Sequence, residues 1–302
     1  MTGSLDRVGR LMHRNDPSVQ GEHLWSSAEV DLPAGLSITW LGTAGFAISF
    51  EDTTILIDPY VSRRSLRNTL RTPSLLPDRS LIDRFVPPAD AVLVGHTHFD
   101  HAVDVPAIAA RDGCGVFGSE SMTHLMGLHG LAGRATTVEP HERHEVGPFS
   151  FSFTPSVHSK LLFGLKVPSG GELTCDSLDS LGAGAYRCGR VWGIDIEVGG
   201  TRIYHQGSAN LVDDEIRAGD VDFFLCGIAG RVYTRDYIGR IMRRLRPRNV
   251  VVHHHDDFFR PLGADMGFSF NVNLGGFVED LQEFDPDIAI HTLQPLETVA
   301  GS

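Results

Sequence analysis

Short apolar segments alternate with polar turns along most of the chain, and the pattern becomes regular from residue 36 onward. Apolar and β-branched residues at 36–41, 46–50 and 54–57 predict three successive strands. The wholly apolar run at 91–95 is typical of a strand that is covered on both faces. Further strands are predicted at 115–117, 149–153, 193–198, 202–205, 222–226, 250–253 and 288–290, and helices at 105–111, 119–127, 235–245 and 273–283.

Two segments far apart in the chain share one pattern. Residues 45–58 read GFAISFEDTTILID and residues 193–206 read GIDIEVGGTRIYHQ. Each begins with glycine, alternates apolar residues, turns within two residues and continues into a second apolar strand, as a tight hairpin does. Any two hairpins share such features, but the match also fits a duplicated half-domain with equivalent hairpins in two facing sheets.

The start of the chain lacks this regularity. Residues 1–34 are mixed and polar, and we interpret them as an N-terminal arm with one short helix near residues 5–12. Residues 35–302 are then expected to form one domain. The long connection at 59–88 contains five prolines and is predicted to hold a helical turn or two.

Composition narrows the class of protein. The chain carries 38 acidic and 26 basic residues, a formal net charge of −12, and its one basic cluster, residues 240–248, is typical of a solvated helix face. Nucleic acid is therefore not expected as a partner. The four cysteines are widely spaced, no apolar run is long enough for a membrane span, and no signal peptide is evident, so we expect a cytoplasmic protein with reduced thiols.

Histidine is over-represented, with 15 residues, and the densest group follows the apolar run at 91–95. The segment His96-Thr97-His98-Phe99-Asp100-His101 places three imidazoles and a carboxylate at the carboxyl end of a predicted strand. These side chains suit a divalent metal of borderline softness. In an irregular segment His96 and His98 can converge on one ion, while Asp100 and His101 turn toward a second.

The His-x-His-x-Asp-His motif makes the chain resemble the metallo-β-lactamase-fold hydrolase superfamily over residues 36–296. The segments WLGTAG at 40–45 and LIDP at 56–59 look like the opening of its single-domain bacterial members, such as the L-ascorbate-6-phosphate lactonase-like and N-acyl-phosphatidylethanolamine phospholipase D-like proteins. The resemblance implies an α/β fold, an αβ/βα four-layer sandwich of two mixed sheets.

The resemblance also implies a set of ligands. His96, His98 and His158 would hold a first ion, and Asp100, His101 and a late histidine would hold a second. Asp58 matches an aspartate that supports the metal segment from behind. The late histidine lies within HHHDDFF at 253–259, where alignment on Asp257 and Phe259 selects His255 and leaves His254 as the alternative, with His253 as a supporting partner.

One position departs from the family pattern. Where relatives carry the aspartate that bridges two metals, this chain has Ser208. A neutral hydroxyl is a weaker ligand than a carboxylate, and two cations repel strongly unless an anion lies between them. The second ion is therefore expected to bind weakly, or with hydroxide as its sole bridge.

These expectations lead to a metal-dependent hydrolase. A metal-bound hydroxide would attack a small ester, lactone or phosphodiester, with Asp100 and His255 as the catalytic side chains. Zinc is the expected metal, one or two ions per chain, with manganese or iron as alternatives. An altered one-metal site with redox or lyase chemistry and a non-catalytic binding protein remain the other hypotheses, and a homo-oligomer is left open.

We expect the connections 60–88 and 159–192 to form the walls of the substrate pocket. The first carries Arg63, Arg64, Arg67 and Arg71. A solvated basic loop is the favoured interpretation of these arginines, and contact with a substrate phosphate or carboxylate is the alternative.

Overall fold

The computed structural model describes residues 17–25, 32–160, 167–269 and 272–301. Within these ranges it contains two sheets of seven strands each. The strands are β1 (Leu36–Gly42), β2 (Gly45–Phe50), β3 (Thr53–Ile57), β4 (Ala91–Leu93), β5 (Gly115–Gly118), β6 (Ala135–Thr137), β7 (Arg143–Val146), β8 (Phe149–Ser156), β9 (Val191–Val198), β10 (Thr201–Gln206), β11 (Val221–Gly227), β12 (Pro247–His253), β13 (Ala289–His291) and β14 (Thr298–Ala300).

Helices connect the strands and cover the sheets. They are α1 (Pro17–Glu22), α2 (Leu66–Arg71), α3 (Arg79–Phe85), α4 (Phe99–Ala102), α5 (Val105–Asp112), α6 (Glu120–Leu128), α7 (Tyr237–Leu245) and α8 (Leu274–Phe284). Side-chain hydrogen bonds and glycine conformation determine where some of these helices begin and end. The Asp78 side chain accepts hydrogen bonds from two backbone N–H groups at the start of α3, and Gly113 ends α5 in the left-handed conformation.

The two sheets have matching topologies. The first runs β14-β1-β2-β3-β4-β5-β6 and the second runs β13-β12-β11-β10-β9-β8-β7. In each, an antiparallel hairpin (β2-β3 or β9-β10) is followed by three strands that pair in parallel (β4 to β6, or β11 to β13). The two hairpins are the two segments that share a sequence pattern, so the structure favours the duplicated half-domain over a chance likeness of hairpins.

Alternation along the strands explains the layers. In β3, Ile55 and Ile57 point into the core between the sheets, whereas Leu56 points outward to a second core. That outer core is covered by α3, α5 and α6, and an equivalent core outside the second sheet is covered by α7 and α8. The order helix, sheet, sheet, helix confirms the four-layer α/β sandwich.

Part of the N-terminal segment packs against the second sheet. Trp25 is fully buried, and its ring stacks on Phe223 and His291. Leu24 forms a parallel bridge with Thr292 next to β13. The short helix expected near residues 5–12 lies outside the described residues.

Candidate metal centre

The side chains singled out in the sequence follow the carboxyl ends of five strands. Asp58 follows β3, the His96–His101 segment follows β4, His158 follows β8, Ser208 follows β10, and His254 follows β12. Ring contacts show that the two sheets bring them together. The centroids of His96 and His158 are 4.9 Å apart, and those of His101 and His254 are 5.5 Å apart.

His96, His98 and His158 form the first donor group. His96 Nε2 lies 3.1 Å from His98 Nδ1, and the rings of His98 and His158 are 4.7 Å apart. The other nitrogens are held by backbone: His98 Nε2 donates to the Pro168 carbonyl at 2.9 Å, and His158 Nδ1 donates to the Ser159 carbonyl at 2.6 Å. Those contacts fix the tautomers and leave His98 Nδ1 and His158 Nε2 as the ligand atoms.

Asp100, His101 and His254 form the second donor group. Asp100 Oδ2 lies 3.8 Å from His101 Nε2 and 3.6 Å from His254 Nε2. Asp58 supports this group from behind, because its carboxylate accepts hydrogen bonds from His101 Nδ1 at 2.8 Å and from the Gly95 N–H at 2.7 Å. Asp58 therefore lies on the side of His101 that faces away from Asp100 and His254 Nε2.

Burial sets the protonation of these groups. Burial lowers the pKa of His96 and His98 well below the usual range, that of His158 to about 4 and that of His254 to about 3. His101 differs, because Asp58 and Asp100 outweigh its burial and raise its pKa. The lowered pKa values of His96, His98, His158 and His254 favour the neutral imidazole, which is the form that binds metals.

The late histidine beside Asp100 and His101 is His254, whereas His255 was expected there. His254 adopts a left-handed conformation (φ +58°), which interrupts the alternation of β12. His255 then points away from the two donor groups, and its buried ring stacks on Trp40 at 5.0 Å. The alignment on Asp257 and Phe259 was one residue out of register for this reason.

His253 takes a position other than the one expected, whereas Ser208 lies in the loop where the sequence placed it. The His253 ring stacks on His205 at 4.9 Å in the core between the sheets, so it makes no supporting contact to His254. Ser208 follows β10 and is buried. Its Oγ accepts a hydrogen bond from the Ser159 N–H at 2.9 Å and thereby ties the loop after β10 to the loop that carries His158.

Two cavities lie near these loops. One of about 800 Å³ has His158 in its wall, together with apolar side chains and backbone of the connection 159–192; the described lining includes Pro140, Pro155, Val157, Val167, Val191 and Trp192. Residues 161–166 of that connection lie outside the described residues. The other cavity, of about 480 Å³, has Arg63 in its wall.

The arginines expected in the pocket wall divide into two kinds. Arg67 and Arg71 are exposed, as in a solvated basic loop. Arg63 is buried and pairs with Asp256 at 2.6 Å, a contact that could not be predicted from spacing along the chain.

The basic cluster at 240–248 is largely neutralised, since Arg240, Arg244 and Arg248 pair with aspartates. In the described part of the chain, no helix combines the length and the apolar character that a membrane span needs.

Known proteins resemble the chain in both sequence and fold. A beta-lactamase superfamily domain model matches residues 37–254. A UPF0173 metal-dependent hydrolase of Anaeromyxobacter sp. (strain K) is 29% identical over 233 residues, which are 73% of this chain and 75% of that protein. A UPF0173 metal-dependent hydrolase of Carboxydothermus hydrogenoformans is 25% identical over 237 residues, 77% of this chain and 89% of that protein.

Solved structures share the fold at lower identity. Igni18, a metallo hydrolase of Ignicoccus hospitalis, superposes with a TM-score of 0.54 at 19% identity, over 87% of this chain and 97% of that chain. CmlA, a diiron β-hydroxylase of Streptomyces venezuelae, superposes with a TM-score of 0.55 at 15% identity, over 89% of this chain and 55% of that chain. The same sandwich therefore occurs with more than one chemistry.

Proposed function

Since this chain belongs to the beta-lactamase superfamily, we propose that it is a metal-dependent hydrolase acting on a small ester, lactone or phosphodiester. One observation carries the proposal. Two donor groups, one of three imidazoles and one of two imidazoles with a carboxylate, lie side by side at the carboxyl ends of the strands. The relatives from Anaeromyxobacter and Carboxydothermus, both named metal-dependent hydrolases, support it.

The donor atoms fit a divalent transition metal. Imidazole nitrogen and carboxylate oxygen suit zinc, and also manganese or iron, whereas they lack the all-oxygen character that calcium or magnesium requires. His96, His98 and His158 would hold one ion, and Asp100, His101 and His254 a second. His254 takes the place first given to His255.

The chain's own residues would supply the rest of the reaction. A bound divalent metal lowers the pKa of water and polarises a carbonyl or phosphoryl oxygen. The buried Asp100 carboxylate lies within 3.8 Å of the ring nitrogens of His101 and His254 and is the candidate general base. Asp100 would thus accept a proton from the attacking water, and Asp58 would keep His101 oriented through their hydrogen bond.

The cavity beside His158 is the candidate substrate pocket. Its volume of about 800 Å³ is within the range of small-molecule sites, and most of its described wall is apolar. A small substrate with an apolar body would place its reacting centre at the His158 end.

The test combines metal analysis with a substrate screen. Protein loaded with zinc, manganese or iron is assayed against p-nitrophenyl esters, lactones, thioesters and bis-p-nitrophenyl phosphate. His98→Ala should abolish turnover and remove one ion per chain while the circular dichroism spectrum is kept. His124→Ala is the matched control, because His124 lies on α6 and bonds only the Cys175 carbonyl among the described contacts.

Two results would contradict the proposal. If the His98→Ala variant still turns over any of these substrates, the first donor group takes no part in the reaction. Stoichiometric iron together with oxidative turnover and no hydrolysis would favour the redox hypothesis instead.

A further inference from the structure

A buried polar cluster lies directly behind His254. It consists of Thr43, Arg63, His254 and Asp256, none of which is more than 7% exposed. The four residues come from three separate parts of the chain: the turn after β1, the connection after β3 and the loop after β12. Only His254 belongs to a candidate donor group, so the other three have no role in the proposed reaction.

The backbone of the cluster holds His254 in place. The His254 N–H donates to the Thr43 carbonyl at 2.9 Å, and the Thr43 N–H donates to the Asp256 carboxylate at 3.0 and 3.2 Å. Thr43 (φ +53°) and His254 (φ +58°) are both left-handed, a conformation that residues with a Cβ adopt only where their surroundings hold them. The orientation of the His254 ring therefore depends on the contacts of Thr43 and Asp256.

Arg63 closes the cluster. Its Nη2 donates to Asp256 Oδ2 at 2.6 Å and to Thr43 Oγ1 at 3.2 Å, so one guanidinium nitrogen joins Thr43, which bonds His254, to Asp256, which bonds Thr43. The chain leaves room for this side chain, because a Cβ at Gly42 would overlap Arg63 Nη2. Arg63 also balances the charge of Asp256, which otherwise would be an unpaired buried carboxylate near Asp100.

Asp104 connects the backbone before Arg63 to the His96–His101 segment. Asp104 lies three residues after His101, and its Oδ2 accepts hydrogen bonds from the N–H groups of Val61 at 2.6 Å and Ser62 at 2.9 Å. The residues before Arg63 are thus fixed to the segment that carries His96, His98 and His101. Arg63 spans from that segment to the loop that carries His254.

We propose that Arg63 is a positioning residue, which sets the separation between His254 and Asp100 so that both can bind one ion. This inference rests on the proposed function, because it requires that the second donor group binds metal. Asp256 and Thr43 transmit the effect, because Arg63 Nη2 donates to both of them.

The experiment measures ion affinity rather than turnover. Zinc binding is titrated against a chromogenic chelator in the wild type, His254→Ala, Arg63→Gln and the adjacent control Arg64→Gln, whose guanidinium donates to the Leu76 carbonyl. Arg63→Gln should weaken the ion that His254→Ala removes by at least tenfold. The ion that depends on His98 should keep its affinity, and Arg64→Gln should bind as the wild type does.

A double variant separates positioning from stability. Arg63→Met with Asp256→Asn leaves no unpaired buried charge, while the oxygen of the introduced amide still accepts from the Thr43 N–H. We expect its thermal midpoint to return toward that of the wild type while the tenfold loss of affinity remains. Recovery of affinity together with stability would show a merely structural role and overturn the inference.

The two hypotheses fail in different ways. If His254→Ala leaves zinc binding unchanged, the second donor group binds no metal, and both the two-ion form of the proposed function and this inference are wrong. If His254→Ala removes an ion but Arg63→Gln does not weaken it, the proposed function stands and Arg63 has no positioning role.

Discussion

Ser208 occupies the position where a carboxylate was expected from the family pattern, and its contacts show what the hydroxyl does instead. It accepts from the Ser159 N–H, while the Gln206 amide donates to the Ser208 and Asn210 carbonyls in the same loop. The loop after β10 therefore holds the His158 loop through neutral hydrogen bonds. As a result, Asp100 is the one anionic member of the second donor group.

Ser208→Asp should raise the number of bound ions toward two per chain, because a carboxylate at this position would offset the repulsion between neighbouring cations. A carboxylate oxygen can also accept the Ser159 N–H, so the loop contact is retained. Elemental analysis after dialysis against zinc measures the effect. Ser208→Asn, which matches the size without the charge, should leave the stoichiometry as it is in the wild type; an equal rise in both variants would contradict the electrostatic explanation.

At the scale of elements, the strands of regular pattern were predicted from sequence, whereas polar edge strands were not. Alternating or continuous apolar residues marked β2, β3, β9, β10 and β12 because these strands face a core. β7 (RHEV) and β14 (TVA) lie at sheet edges, are mostly exposed or half-buried, and carry little apolar pattern. They form strands because they pair with β8 and β1, respectively.

The candidate site was likewise predicted only in part from the sequence. The His96–His101 segment and His158 were found from sequence, because they follow predicted strands and match a motif. The late histidine was predicted one residue too far along the chain, at His255 instead of His254. The left-handed backbone that turns His254 toward Asp100 is held by Thr43, more than 200 residues earlier, and the local sequence does not show this contact. The Arg63–Asp256 pair likewise joins distant segments, and a single sequence carries no signal for it.

The ends of β10 and β11 approach closely at a glycine. A Cβ on Gly227 would lie 2.6 Å from the Gln206 carbonyl oxygen and 3.0 Å from that of Gly207. Gly227→Ala should therefore force the two strand ends apart and lower the free energy of unfolding by about 1–3 kcal/mol, as overpacking does.

Urea unfolding measures this change against an internal control. Gly127, on the exposed side of α6, has no atom within 4 Å of an added Cβ, so Gly127→Ala should instead stabilise the protein by about 0.5–1 kcal/mol. Equal effects of the two substitutions would show that the close approach of β10 and β11 is unimportant.

For the whole molecule, buried histidines make stability depend on pH. Burial lowers the pKa of His158, His205, His255 and His291 to about 4, and that of His254 to about 3, from an ordinary value of 6.5. The unfolded chain then binds more protons than the folded one between pH 4 and 6.5, so the free energy of unfolding rises with pH in this window. Burial raises the pKa of the Asp104 carboxyl to about 6 and also raises that of Asp100, so these two groups act in the opposite direction, but they are fewer than the buried histidines.

The metal-free protein should therefore lose stability as the pH falls from 6.5 toward 4, with each excess proton contributing up to about 1.4 kcal/mol per pH unit. Chelator-treated protein is unfolded in urea across this range. His291→Phe should reduce the slope, because it removes one titrating ring far from the donor groups while keeping an aromatic contact to Trp25. A flat profile, or one that rises toward acid pH, would contradict the assignment of neutral buried histidines.

The outermost strand of the first sheet is built from the far end of the sequence. β14 pairs with β1, with Ser37 opposite Ala300 and Thr39 opposite Thr298. During synthesis on the ribosome, β1 emerges early and keeps one edge unpaired until residues 298–300 have left the exit tunnel. The other strands of that sheet can assemble first, so this edge is the last to close and stays open to wrong partners for longest.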